Sequence, residues 1–343
     1  MLSITRTTKA ILRPFYRRFI KPVYQRAARA EIERAAPSWA GELCQRWSEQ
    51  QRSLGDVGAA LADLARQVQA LQATVAALGP QRATAFDAVY LGQERLMSGH
   101  PCHPFMILDA QDPLVTPRVI LKCYEPGTSA ALRRLVKPGM TVVEAGANQG
   151  YHTLTMASLV IPGGGRVITF EANPRAFAVL QDNLLALGLR AHVTAFCKAT
   201  YHQNTKLTFH LARSTAGSTL VYDQGFGTVE VEGVRVGDVL QELQARPDFV
   251  RIDVEGAEGQ TLDGMWEYLE SSPHLKILFE FCPPLLRLSK YHSVEVFLGR
   301  LQSLGLKFWR IGEDGSLTPS DARQLLALYD DSFGDVVAAR DLP

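Results

Sequence analysis

The period of the apolar positions changes twice along the chain, and each change marks a boundary. Near the start, Ile11/Leu12, Phe15/Tyr16, Phe19/Ile20 and Val23/Tyr24 recur as pairs four residues apart. That spacing puts them on one face of a helix. Arg13, Arg17, Arg18, Lys21 and Arg26 fill much of the other side, and Pro14 and Pro22 kink or break the helix. Residues 1–37 read as a basic amphipathic segment, suited to an anionic membrane surface or to docking on its own protein. Next, Leu54, Val57, Leu61, Leu64, Val68, Leu71, Val75 and Leu78 follow a 3-4-3-4-3-4-3 spacing. So narrow a seam predicts a coiled-coil helix over residues 38–80, ended by Gly79-Pro80. Its flanking positions, such as Ala65 and Gln72, are uncharged, so the seam predicts self-association without partner choice by salt bridges.

From residue 85 to 343 short β-like runs alternate with helical ones. The runs are FMILDA, RVILKCY, TVVEAGA, GRVITFEA, AHVTAFCKAT, KLTFHLA, TVEVEGVRV, FVRIDV, KILFEF and KFWRI. Helical patterns fall at Ser129–Val136, Tyr151–Val160, Arg175–Leu187, Ala257–Ser271 and Val294–Leu304. This alternation predicts an α/β domain with a mostly parallel sheet and helices on both faces.

Charge sharpens the first boundary. Residues 1–34 hold nine Lys/Arg and two acids, +7, which leaves −6 for the rest of a chain of net charge +1. The five cysteines are scattered and never spaced as Cys-x-x-Cys. They read as free thiols in a reducing compartment, with no disulfide frame and no zinc site. No run of about 18 apolar residues predicts a transmembrane helix.

The chemistry gathers at strand ends. TVVEAGANQG is a strand ending at Glu144, then Gly146 and Gly150, then a helix. Glycines there let a ligand approach the backbone. The spacing E-x-G-x-x-x-G differs from the dinucleotide fingerprint, and an acid before the loop favours a cationic ligand over a phosphate. S-adenosylmethionine has an ammonium, a sulfonium and no phosphate. Glu171 ends the next strand, where a ribose-binding acid is expected. FVRIDVEGAEG supplies Asp253, Glu255 and Glu258 after a third strand, and KILFEF places Glu280 inside an apolar run. A buried acid needs a partner or a function. Carboxylates suit magnesium in type, but no second ligand cluster accompanies these, and no metal is expected. His152 lies one turn into the helix after the glycine turn and is a reserve base. The STAGST loop at 214–219 is a polar element that can face a glycan.

VVEAGANQGYHTLTMA, GRVITFEANPRAFAVLQDNL, FVRIDVEGAEGQTLDGM and ILFEF, in that order and spacing, resemble the FkbM family of S-adenosylmethionine-dependent methyltransferases. The resemblance implies a Rossmann-like methyltransferase fold over roughly Tyr124–Phe281. It implies O-methylation of a hydroxyl, commonly on a sugar or a polyketide. It implies cofactor contacts from Glu144, Gly146, Asn148, Gly150 and Glu171, to which Asn173 is added, and places Asp253, Glu255 and Glu258 at the substrate edge. Glu144 departs from the family's more frequent Asp.

Methyl transfer to a hydroxyl needs alignment and removal of one proton. Asp253 or Glu255 is the expected base, with Glu280 and His152 in reserve. The whole architecture suggests a homo-oligomer held by the coiled coil, cytoplasmic or peripheral at the inner membrane face through residues 1–35. Its expected acceptor is a lipid-linked glycan or a small-molecule hydroxyl. Two rivals stand beside this reading: a non-catalytic scaffold that binds S-adenosylmethionine, and a nucleotide-binding oxidoreductase. Nucleic acid is not an expected partner, since no basic patch follows the N-terminal segment.

Overall fold

A computed structural model describes residues 88–342. The basic segment 1–37 and the coiled-coil helix 38–80 of the sequence reading lie outside the described residues. The chain enters through a small antiparallel sheet of β1 (Val89–Gly92), β2 (Arg95–His100) and β3 (His103–Asp109). Two helices follow, α1 (Val115–Ile120) and α2 (Pro126–Leu135), and then the alternating part: β4 (Thr141–Ala145), α3 (Tyr151–Val160), β5 (Arg166–Phe170), α4 (Pro174–Ala186) and β6 (Val193–Phe196). Strands β7 (Ala199–Thr200), β8 (Thr205–His210) and β9 (Thr228–Val234) form a second small sheet. The main layer resumes with α5 (Val236–Glu242), β10 (Phe249–Ile252), α6 (Glu258–Asp263), α7 (Trp266–Ser271) and β11 (Lys276–Phe281). It ends with α8 (Pro283–Ser289), α9 (Val294–Ser303), β12 (Lys307–Ile311), β13 (Leu317–Ser320), α10 (Ala322–Tyr329) and β14 (Gly334–Ala339).

The eight-stranded sheet runs β13-β12-β14-β11-β10-β4-β5-β6. Strands β11, β10, β4, β5 and β6 are parallel, while β14 lies antiparallel between β11 and β12. Period two along these strands divides the core. Val143, Ala145, Val250, Ile252, Ile277 and Phe279 pack on one face with Leu240, Leu262 and Leu298. Val142, Phe249, Leu278 and Val337 point to the other, against Leu132, Leu154 and Leu180. Alternating side chains serve opposite faces of a pleated strand, so apolar residues at nearly every position build both cores at once. From β4 the chain winds first to β5 and β6, then crosses to β10 and β11 on the other side. The switch point therefore lies between β4 and β10, where ligands bind in such sheets.

Several elements differ from the sequence reading. RVILKCY, expected as a strand, forms part of α1 and the turn beyond it. A short apolar run suits a helix as well as a buried strand, and Asp112 Oδ1 accepts from the Leu114 and Val115 amides at the helix start. AHVTAFCKAT divides into β6 and β7, which belong to different sheets. The helix expected over Ala257–Ser271 breaks at Gly264, whose Cα lies against the Tyr201 carbonyl and has no room for a Cβ. Strands β1, β2, β13 and β14 were not foreseen. Among the described residues no helix is long and apolar enough to cross a membrane, and Cys102, Cys123, Cys197 and Cys282 are free.

Candidate active site

The carboxyl ends of β4, β5, β10 and β11 surround a cleft open to solvent. Gly146, Asn148, Glu171, Asp253, Glu255 and Glu280 line it, as do Tyr124 and Glu125 from the segment before α2. Thr215 and Ser218 of the STAGST loop add polar wall, with Ala216 beside them. Asp112 anchors that loop by accepting from the Ser214 hydroxyl and from the Thr215 amide and hydroxyl. The same Thr215 hydroxyl lies 2.7 Å from the Asn148 side-chain amide.

The glycine turn has a different cause from the one its sequence suggests. Gly146 has φ +88°, and a Cβ there would collide with the Asp253 carbonyl oxygen. The close neighbour that demands glycine is the end of β10 itself. At Gly150, φ +96°, a Cβ would meet Leu180 Cδ1 of α4 at 2.7 Å. Gly150 begins α3 and is absent from the cleft wall.

Glu171 stands where a ribose-binding acid is expected. Its Oε2 accepts from the Asn148 amide at 2.6 Å and its Oε1 from the Asn173 amide at 2.7 Å. Each oxygen keeps a second lone pair for a ligand hydroxyl. Burial raises its pKa to about 7 against the pull of those two amides. Asn173 itself does not line the cleft. Its side chain accepts from the Arg175 amide to cap α4, and donates to Ser218 Oγ.

Glu144 is fully buried and also outside the cleft wall. The hydroxyls of Thr153 and Thr169 donate to its Oε2 at 2.5 and 2.8 Å, and Arg251 Nη1 reaches its Oε1 at 3.4 Å. The strand-end acid is thus held by the protein and faces inward. His152 is likewise outside the main cleft, with Nε2 donating to Glu125 Oε2 at 2.6 Å.

Arg251 is the residue that sequence reasoning missed. It sits mid-strand in β10, 3% exposed, and ties the acids together. Nη2 lies 2.7 Å from Asp253 Oδ2 and 3.6 Å from Glu125 Oε2, and Nη1 donates to the Gly146 carbonyl at 3.1 Å. Burial disfavours its charge, but Asp253, Glu144 and Glu125 outweigh that and keep it protonated. Burial also works against charge on Glu125, yet His152 and Arg251 bring its pKa down to about 2. A charged residue inside the apolar run FVRIDV was the available signal, of the kind used for Glu280.

The outer acids have no such support. Oxygens of Asp253, Glu255 and Glu280 lie within 4.8 Å of one another. Among the described residues none donates a hydrogen bond to the carboxyls of Glu255 or Glu280. Desolvation, then the charges of Asp253 and Glu258, push Glu255 up to about 9. Glu280 is raised well above the usual carboxylate range by burial and the same neighbours. Asp335, its cross-strand partner on β14, accepts from the Thr128 hydroxyl and is raised to about 7, chiefly by burial. The trio offers hard oxygens of the type magnesium takes. The same crowding keeps protons on Glu255 and Glu280, which is the form a metal cannot use. Glu258, 1% exposed, instead closes its own turn by accepting from the Gly256 and Val254 amides.

Residues 144–304 match the family model described as the methyltransferase FkbM domain. The chain carries an FkbM methyltransferase domain. No curated protein matches its sequence. Among solved structures, a methyltransferase FkbM from Methylobacillus flagellatus KT is 12% identical, with 65% of this chain and 52% of that one covered and a TM-score of 0.38. A SAM-dependent O-methyltransferase from Thermotoga maritima is 16% identical, with 70% and 74% covered and a TM-score of 0.36. A precorrin-6y C5,15-methyltransferase from Geobacter metallireducens GS-15 is 14% identical, with 63% and 87% covered and a TM-score of 0.37.

The protein is a methyltransferase, and its methyl donor is S-adenosylmethionine. The residues present fit that group. Glu171 offers free lone pairs at the ribose position, and Asp253 places a carboxyl at the switch point. The oxidoreductase and scaffold alternatives lose their support with this match.

Proposed function

We propose that this methyltransferase transfers a methyl group to a hydroxyl oxygen of a carbohydrate acceptor, with Glu255 as the general base. The observation that supports this reading is the pair Glu255 and Glu280, two carboxyls on the cleft wall without donors from the described residues. A polyhydroxylated acceptor supplies donors to such groups. Bound S-adenosylmethionine supplies a methyl group made electrophilic by a sulfonium. The acceptor oxygen forms the new C–O bond as the C–S bond breaks, its electron pair stays on sulfur, and the hydroxyl proton passes to a carboxylate. Burial raises the pKa of Asp253 as well, but Arg251 at 2.7 Å opposes that rise and occupies one of its oxygens. Glu255 and Glu280 have high proton affinity, so the base acts from its ionised fraction, and the rate should rise with pH toward about 9. His152 is engaged with Glu125 outside the cleft wall.

The setting of the reaction belongs to the same proposal. The basic segment 1–35 brings the enzyme to an anionic membrane face, and the heptads hold several copies together, which raises effective concentration on a lipid-linked glycan. A small-molecule hydroxyl, such as that of a polyketide, is the second reading.

Methyl-labelled donor incubated with the full chain and separate panels of saccharides, polyketide alcohols and RNA tests the assignment. Label on a saccharide hydroxyl, lost in Glu255→Gln, is the expected result. Label on RNA alone would overturn it.

A further inference from the structure

Glu255, the proposed base, stands in a backbone conformation that residues with a side chain rarely take. Its φ is +52°, and Gly256 follows at +96°. Left-handed backbone costs free energy at a residue with a Cβ and persists only where the surroundings enforce it. Here the enforcement falls on one peptide group, between residues 255 and 256, which is held at both ends. Its amide donates to Glu258 Oε1 at 3.2 Å. Its carbonyl, the main-chain oxygen of Glu255, accepts from the Thr219 hydroxyl at 2.6 Å. A Cβ at Gly256 would meet Val221 Cγ2 at 2.9 Å and Leu285 Cβ at 3.1 Å, so neighbours close in around the same turn.

Thr219 is well fixed for this task. It is fully buried and exchanges two backbone hydrogen bonds with His210 of β8, at 2.8 and 3.0 Å. Its hydroxyl oxygen accepts from the Val221 amide at 3.0 Å, and its single proton goes to Glu255. Asp112 holds the other end of the STAGST loop through Ser214 and Thr215. The loop is therefore a brace as well as a polar wall. We infer that Thr219 is a positioning residue for the methyl transfer: its hydroxyl holds the 255–256 peptide in the left-handed turn that aims the Glu255 carboxyl into the cleft. Without that bond the peptide is free to rotate toward ordinary backbone, and the carboxyl swings away from Glu280 toward water. The catalytic meaning of this inference rests on Glu255 as the general base; the positioning itself does not.

The placement of the carboxyl can be read without an acceptor. Carboxyl-carbon NMR of the full chain, labelled at its glutamates, follows the titration, and the resonance missing from Glu255→Gln is that of Glu255. Asp253, Glu258 and Glu125 act on this group by charge, Glu280 lies alongside, and Lys198 of the same cleft is paired with Glu232. In the parent Glu255 should titrate at about 9. Thr219→Val keeps the shape of the side chain and removes the donor. Its Glu255 midpoint should fall by at least about one pH unit toward 4.5, because the carboxyl gains water. Thr219→Ser keeps the donor and should titrate as the parent does. A Thr219→Val midpoint equal to the parent's, or a Thr219→Ser midpoint displaced as far as that of Thr219→Val, would overturn the inference. Should Thr219→Val not fold, Thr219→Ala makes the same comparison. Turnover on the acceptor that the parent labels separates the two readings. Full turnover in Glu255→Gln removes the base assignment, and the catalytic role of Thr219 with it. An unmoved midpoint removes the positioning role and leaves the base assignment standing.

Discussion

Two groups of acids stand at the same edge of the sheet and are built differently. Glu144 ends β4 with two threonine hydroxyls and an arginine on its carboxylate, and does not reach the cleft wall. Glu255 and Glu280, after β10 and in β11, reach the cleft and have no donors from the described residues. Glu144, surrounded by donors and off the cleft wall, is part of the frame, and Glu255 and Glu280, left without donors, wait for a ligand or a proton. Sequence position does not distinguish the two classes, because each acid lies at a strand end. Partner count does.

The largest effect should come from cutting the link between the groups. Arg251→Met leaves the buried Glu144 and the half-buried Asp253 without their cation, a change that costs about 3–5 kcal/mol. Urea unfolding should show that loss, and a variant as stable as the parent would mean the acids find other partners. Glu255→Gln should lower turnover by about 10²–10⁴-fold, the usual contribution of a general base, with donor affinity kept. If Glu280→Gln has that effect and Glu255→Gln does not, the proton goes to the strand acid. Glu171→Ala should remove the thermal stabilisation given by donor, about 2.7 kcal/mol at a hundredfold its dissociation constant. A full shift in that variant would take Glu171 out of the ribose contact. The smallest effect belongs to Thr153→Val, which takes one of several donors from Glu144 and should cost about 1–3 kcal/mol in stability without altering donor affinity.

Much of this site was legible in the sequence, and the illegible part has a consistent reason. Strand ends at Glu144, Glu171 and Asp253 could be read because a parallel strand buried on both faces is a continuous apolar run that stops where the chemistry starts. Tyr151–Val160 could be read to its ends. The use of each residue could not. Gly146 looks like a ligand-clearing glycine, yet it makes room for the Asp253 carbonyl on a strand more than a hundred residues later. Asn173 looks like a ligand contact and is a helix cap. RVILKCY has the composition of a strand, and the Asp112 carboxylate decides for a helix. These outcomes depend on pairings between distant segments, which a local pattern does not carry. The antiparallel insertion of β14 between β11 and β12, which sets Asp335 beside Glu280, belongs to the same class.

The contrast between framed and unframed acids has a direct thermodynamic signature. A carboxyl whose pKa rises on folding holds its proton in the folded state after the unfolded chain has released it. Glu255 does so between its ordinary value of 4.5 and about 9. Across that window the folded state binds more protons, so stability falls as pH rises. Glu171, Glu258 and Asp335, each raised to about 7, add to the fall in its lower part. The most direct measurement is therefore the unfolding free energy of the donor-free protein from pH 5 to pH 9, for the parent beside Glu255→Gln. The account predicts a decline with pH in the parent and a distinctly shallower one in the variant, most clearly between pH 7 and pH 9. Identical slopes in the two proteins would contradict it, because Glu255 would then be as well supported as Glu144.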